Sequence, residues 1–226
     1  MSILTLGIDE AGRGPVIGNM FIVGVAIPIN KLIHLKLLGV KDSKSLSRSA
    51  RDKLYHDIIN NSVWYHVISY GPETIDRKNI SDLYREAVIT IIDLGIKALD
   101  EKLRRVVVDG CGKVEYLKRA IRKLGFKGEL IISNKADTLY VEVSAASIIA
   151  KVLRDKHIDQ LKAIYGNLGS GYPSDIKTRT WILGYYLKNG KLPKIVRKSW
   201  RTIRDLIPEE FKSKHLKERD LLKYLQ

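Results

Sequence analysis

Four carboxylates stand where a chain of this pattern could do chemistry. Asp9 and Glu10 are adjacent at the end of an apolar run, Asp109 ends a second run, and Asp137 sits just ahead of a third apolar segment. The first pair leads straight into Ala11-Gly12-Arg13-Gly14-Pro15, a turn whose glycines let the backbone come close to something large. Acid pairs are usually solvated surface charge, and one wedged between a buried-type strand and a glycine turn is out of its ordinary place. Brought together, the four would repel one another unless a cation lay among them. A set made only of oxygen donors selects a hard ion such as Mg²⁺ or Mn²⁺, so the expected chemistry is metal-assisted. Taken singly, Asp137 also reads as a helix N-cap and Asp109 as a turn residue; the metal reading rests on the positions jointly.

Other chemistries fit less well. His34, His56, His66, His157 and His215 are scattered and Cys111 is the one cysteine, so neither a zinc-ligand spacing nor an internal disulfide is available. Cys111 reads as a small buried residue. The glycines do not make a dinucleotide fingerprint, because Gly18 falls one position late and Pro15 leads into a strand rather than a helix.

The elements that must position these groups follow from periodicity. Ile3, Leu4, Leu6 and Ile8 read as a first strand, and residues 20–28 as its antiparallel neighbour, so a hairpin frames Asp9 and Glu10. Asp9 and Glu10 can share one centre, by this reading, only if the strand ends or twists between them and the following glycines, since consecutive strand residues face opposite sides, and a regular strand running through Glu10 counts against it. A helix over 48–59, with Leu54 and Ile58 four apart and Ser47 as cap, precedes a strand over 63–70 closed by Gly71-Pro72. Leu83, Ala87, Ile91, Leu94 and Ala98 mark a helix over 81–99 capped by Ser81. A strand over 105–109 ends at Asp109, then come a helix over 114–124 and a strand over 130–132. Residues 137–156 read as one central buried helix, polar mainly at Ser144 and Ser147. A last helix spans 174–186 with Pro173 near its first turn. Antiparallel strands followed by strand–helix alternation indicate an α/β fold, a mixed sheet flanked by helices, with its site where strand ends gather.

The chain has 226 residues, 45% of them apolar, and a net charge of +15. That suits one main core and a polyanionic partner such as nucleic acid. Residues 188–226 hold 12 Lys and Arg against 5 Asp and Glu, +7 of the total, and read as a basic helical C-terminal extension packed on a catalytic domain over 1–187. No apolar run approaches the roughly 20 residues of a membrane span, so no membrane partner and a cytoplasmic location are expected.

The quoted residues also resemble a known family. Asp9-Glu10-Ala11-Gly12-Arg13-Gly14-Pro15 is similar to the signature of type 2 ribonuclease H, ribonuclease HII. Asp42-Ser43-Lys44-Ser45-Leu46, the run from Val143 to Val152 with Arg154-Asp155, and Gly169-Ser170-Gly171-Tyr172-Pro173-Ser174-Asp175 match in order and spacing. This last motif and Val196-Arg197-Lys198-Ser199-Trp200 are most similar to the archaeal branch.

The resemblance implies a ribonuclease H-like fold with a five-stranded sheet, and Asp9, Glu10, Asp109 and Asp137 as catalytic metal ligands. It implies that Gly12, Arg13 and Gly14 grip the phosphate and 2′-hydroxyl of a ribonucleotide, that Tyr172 packs on the neighbouring deoxyribose, and that Lys44 contacts a phosphate. The substrates implied are RNA/DNA hybrids and DNA containing ribonucleotides. Two divalent ions, Mg²⁺ or Mn²⁺, lying about 4 Å apart and bridged by Asp9, would run an in-line hydrolysis leaving 5′-phosphate and 3′-hydroxyl ends. A monomer is expected, and the final Leu221-Leu222-Lys223-Tyr224-Leu225-Gln226 holds no clear sliding-clamp motif although such a partner is compatible. The rival readings are a DNA-directed nuclease of the junction-resolvase kind and a basic binding module without activity. Placed carboxylates argue against the module, because they would repel phosphate unless metals were bound.

Overall fold

The structure, a computed structural model, describes residues 2–41, 46–110, 112 and 114–213. Lys44, Cys111 and the extension from residue 214 onward lie outside the described residues.

The first two apolar runs form β1 (Leu4–Ala11) and β2 (Met20–Pro28), paired antiparallel from Leu4 with Pro28 to Ala11 with Phe21. Helices α1 (Leu32–Leu37) and α2 (Arg48–Asn61) follow, and Ser47 Oγ accepts from the Ala50 N–H at 3.2 Å as the cap of α2. Next come β3 (Trp64–Tyr70), α3 (Pro72–Arg77), α4 (Ile80–Leu99), β4 (Leu103–Asp109), α5 (Val114–Lys123) and β5 (Glu129–Ser133). The chain continues through α6 (Ala136–Leu139), α7 (Val141–Tyr165), α8 (Ile176–Asn189) and α9 (Arg201–Leu206).

The strands make one mixed five-stranded sheet in the order β3-β2-β1-β4-β5, with β1–β4 and β4–β5 parallel. β1 is buried along nearly its whole length, as a central strand covered on both faces must be. Two glycines let the covering helices approach. A Cβ on Gly24 would lie 2.3 Å from Ile91 of α4, on the face shared with Leu6 and Ile8, and one on Gly7 would lie 2.1 Å from the Glu142 carbonyl at the start of α7. α4 therefore covers one face of the sheet and α7 the other. Ala145, Ala146, Ile148, Ile149 and Val152 of α7 join Val23, Val25, Ile27, Leu54 and Ile58 in one core.

Three boundaries depart from those expected. Residues 137–156 are not one helix: α6 ends at Tyr140, whose backbone is extended at φ −122°, and α7 starts anew with the Val143 and Ser144 N–H groups donating to the Tyr140 carbonyl. Ser81 lies inside α4 rather than capping it. Pro173 stays outside α8, whose cap is Asp175, accepting from the Lys177 N–H at 2.9 Å. In each case apolar spacing located the helix but carried no information about which polar group closes its end.

The chain falls into two compact units, residues 1–11, 20–69 and 81–155 in one, residues 12–19, 70–80 and 156 onward in the other. A boundary between 187 and 188 lies inside α8. Charge marks the surface of the C-terminal segment, but its packing follows Leu192, Val196, Ile203 and Ile207, which share a core with Val16, Ile17, Ile158, Leu161, Leu168 and Ile182. Among the described residues no helix is long and apolar enough to cross a membrane.

Two measurements check this packing. Gly7→Ala should cost about 1–3 kcal/mol by overpacking, read from urea unfolding, whereas Gly184→Ala, with open space around it, should stabilise α8 by about 0.5–1 kcal/mol. In the second unit, burial and then the charge of Arg197 hold His157 below its ordinary 6.5. The unfolded chain takes up that proton before the folded one, so stability should fall as pH drops below about 6.5; His157→Gln should flatten this part of the melting-temperature profile.

Candidate active site

β1 and β4 end side by side. Their parallel pairing runs to Ile8 with Val108, so Asp9 and Asp109 are the next residue on each strand. Asp9, Glu10 and Asp109 each bring a carboxylate oxygen within 4.8 Å of the other two. β1 ends at Ala11, between the acids and Gly12, as alternation required, yet it runs on through Glu10, paired with β2 as Glu10–Ile22 and Ala11–Phe21, so the end of the strand is not by itself what brings the two acids together. The open edge on the other side is what admits Glu10. Past Ile8 the ladder to β4 is finished, and a glutamate has enough rotatable bonds to swing around that edge. The Glu10 N–H donates to Asp9 Oδ1 at 2.7 Å, which holds the aspartate there.

Asp9 is buried, only 5% exposed. Burial first, and then the charge of Glu10, push its carboxyl well above the usual carboxylate range, while a hydrogen bond with Ser147 opposes the shift. Ser147 comes from α7 and is itself buried. Its signal in the sequence was its place as one of the polar interruptions of an apolar helix; the other, Ser144, donates to the Lys41 carbonyl instead.

Asp109 is tied on two sides. Its Oδ1 accepts from the Ala136 N–H at 2.7 Å, and the Tyr84 hydroxyl on α4 donates to its carbonyl at 3.1 Å. The first bond does the work of an N-cap for α6, whose own cap position, Lys135, is left-handed and makes no side-chain cap bond. Asp137 is therefore not the cap of its helix. It is buried on α6 one residue past Ala136, outside the three-acid group, and linked to it through that bond. Gly110 beside Asp109 has a steric reason: a Cβ there would lie 2.0 Å from Asn134 Oδ1.

The Gly12-Arg13-Gly14 turn belongs to the second unit. Gly12 has φ 87°, a left-handed conformation that favours glycine. Gly14 is exposed, and a Cβ on it would be 3.6 Å from Tyr172 Cε1, so the turn and the exposed Tyr172 ring share a surface. The Val16 and Ile17 N–H groups donate to the Gly171 carbonyl at 2.8 and 3.3 Å, which ties the turn to the Tyr172 loop.

The donor set fits a divalent cation. It is all oxygen, it is partly withdrawn from water, and the charges acting on its buried member come from its own acidic neighbours, an arrangement that a bound cation relieves.

A mixed sheet with carboxylates gathered at the ends of adjacent parallel strands is the arrangement of a ribonuclease H-like hydrolase. Residues 6–203 match the family model described as Ribonuclease HII. The chain is 44% identical over 211 residues to the Ribonuclease HII of Saccharolobus solfataricus, covering 93% of this chain and 97% of that one. It is similar to the crystal structure of ribonuclease H2 from Pyrococcus horikoshii OT3, with TM-score 0.82 and 37% identity over 92% of this chain and 99% of that one. It also resembles the ribonuclease HII of Archaeoglobus fulgidus, solved as a complex with PCNA, with TM-score 0.76 and 36% identity over 90% and 96%. The chain belongs to the ribonuclease HII family. It is a ribonuclease H, a hydrolase that cuts an RNA strand.

Asp109→Asn should separate chemistry from folding. The amide oxygen can still accept from the Ala136 N–H, so the melting temperature should stay close to that of the parent, while Mn²⁺ binding weakens and turnover is lost.

Proposed function

We propose that this enzyme hydrolyses the RNA strand of RNA/DNA hybrids and cuts on the 5′ side of ribonucleotides embedded in DNA, leaving 5′-phosphate and 3′-hydroxyl ends. The observation that carries the reading is the convergence of Asp9, Glu10 and Asp109 within 4.8 Å at the ends of β1 and β4. When bound, a pair of divalent ions, Mg²⁺ or Mn²⁺, supplies an activated water and neutralises charge on the leaving 3′-oxygen.

The residues do the rest. Asp9, Glu10 and Asp109 hold the cations, and Asp137 completes the set as the fourth carboxylate. Ser147 and the Glu10 N–H orient Asp9, both by hydrogen bonds to its carboxylate. Gly12 and Gly14 leave the backbone bare enough to meet a 2′-hydroxyl, the group that separates RNA from DNA at a given position. Arg13 between them forks onto phosphate oxygens, Tyr172 packs on the adjacent deoxyribose, and Lys44 adds a phosphate contact.

The basic C-terminal segment is read as an extension that adds sequence-independent affinity for the duplex backbone. The same proposal has the enzyme working as a cytoplasmic monomer able to dock on a sliding clamp, the last on the ground that the Archaeoglobus fulgidus neighbour was solved with PCNA.

Product mapping on duplex DNA with one embedded ribonucleotide tests the reading. A single cut 5′ of the ribonucleotide with 5′-phosphate and 3′-hydroxyl ends, and no cut in the all-deoxy duplex, is expected. A 2′,3′-cyclic phosphate would refute it, since attack by water leaves the 2′-hydroxyl out of the bond-making, and cutting of the all-deoxy duplex would favour a DNA-directed nuclease.

A further inference from the structure

Arg197 is fully buried and heads the large side chains that are. Its guanidinium grips the glycine turn from behind. Nη2 donates to the Gly12 carbonyl at 2.6 Å, Nη1 to the Arg13 carbonyl at 3.1 Å, and Nε to the Gly18 carbonyl at 2.9 Å. The guanidinium carbon lies 4.9 Å from the centre of the Trp200 ring, and Trp200 Nε1 donates to the Gly14 carbonyl at 3.1 Å. All three carbonyls of Gly12-Arg13-Gly14 are thus held by two side chains three positions apart.

The clamp is itself anchored. The Lys198 and Ser199 N–H groups each donate to Asp76 at 2.9 Å, and the Ser199 hydroxyl adds a bond of 2.7 Å to the same carboxylate. The Arg197 N–H donates to the Val16 carbonyl at 2.8 Å, just past the turn.

Holding a carbonyl fixes more than the carbonyl. A peptide unit is planar and trans, so its N–H points opposite to its C=O. With the Gly12 and Arg13 carbonyls drawn toward Arg197, the N–H groups of Arg13 and Gly14 are turned away from it. A turn with two glycines has little conformational preference of its own, whereas recognition of one hydroxyl needs donors placed within about 0.5 Å.

We infer that Arg197 and Trp200 are positioning residues for sugar recognition: Arg197 aims the Arg13 and Gly14 N–H groups at the 2′-oxygen of the ribonucleotide, while Trp200 lies against Arg197 and fixes the far side of Gly14, whose own carbonyl leads into Pro15 and so aims no N–H, and together they set the preference for ribose. The inference rests on the proposed role of the turn. Lysine cannot replace Arg197, because a point charge on a flexible stem cannot hold three carbonyls in a fixed fork. Phenylalanine at position 200 keeps a ring for Arg197 to lie against and an apolar group on the core of the second unit, and removes the bond to Gly14.

The experiment compares the full-length parent, Arg197→Lys and Trp200→Phe. Affinity is measured, with Ca²⁺ in place of the catalytic ion, for a duplex with one ribonucleotide and for the same duplex all in deoxy form, alongside cleavage in Mg²⁺ and thermal melting. The ribonucleotide preference should shrink about tenfold in Arg197→Lys and several-fold in Trp200→Phe, a hydrogen bond or two of discrimination. Affinity for the all-deoxy duplex should stay within about twofold of the parent in Trp200→Phe. A purely structural role predicts lowered melting temperature, or both affinities reduced together, with the preference intact; that result overturns the inference. If Arg197→Lys fails to fold, Trp200→Phe alone decides. A parent enzyme that does not cut at the ribonucleotide overturns the proposed function itself, whereas a parent that cuts and prefers ribose beside variants of unchanged preference overturns only the clamp.

Discussion

Like charges gathered in a partly dry place are the constraint around which the first unit is arranged. Asp9, Glu10 and Asp109 crowd their carboxylates within 4.8 Å, and Asp9 is buried enough that it resists ionising. Such a cluster is an unfavourable thing for a fold to carry, and several features serve to hold it in place. Ser147 and the Glu10 N–H bind Asp9, while the Ala136 N–H and the Tyr84 hydroxyl bind Asp109. These supports come from both sides of the sheet, from α4 on one face and from α6 and α7 on the other.

Elsewhere in the same unit, burial of an acid is resolved differently. Glu142, about 1% exposed, accepts from Arg105 at 2.6 Å and from the Thr5 hydroxyl at 2.9 Å, and Arg105 also donates to Thr5 at 3.1 Å. There the chain supplies its own cation and the arrangement is complete. At the end of β1 the charges that act on Asp9 are those of Glu10 and Asp109, a site made for an ion from outside. The difference between a structural carboxylate and a functional one lies here in what surrounds it, since Glu142 and Asp9 are both buried carboxylates.

The glycines divide along similar lines. Gly7 and Gly24 are there because a helix backbone or side chain occupies the space a Cβ would need. Gly12 is there for its positive φ, in a turn whose shape is held by Arg197 and Trp200. Nothing in a one-dimensional pattern separates these two uses, because close approach is a property of the partner segment and not of the glycine.

What the sequence determined by itself was considerable. Strand and helix periodicity marked the hairpin, the mixed sheet and the central helical region, and acids at the ends of elements marked Asp9, Glu10, Asp109 and Asp137 as a candidate centre, of which the first three lie within 4.8 Å of one another; all of these readings are consequences of short-range order along the chain. Only the tertiary structure decided how adjacent strand residues could share that centre, because the answer is the end of the β1–β4 ladder at Ile8 and Val108, a fact about a strand almost a hundred residues away. It likewise decided that Asp109 closes the α6 helix that Asp137, taken singly, could have capped, and that a single buried arginine 185 positions along the chain holds the Gly12 carbonyl. Partners so distant in sequence are chosen by packing, and packing leaves no periodic trace in the order of residues.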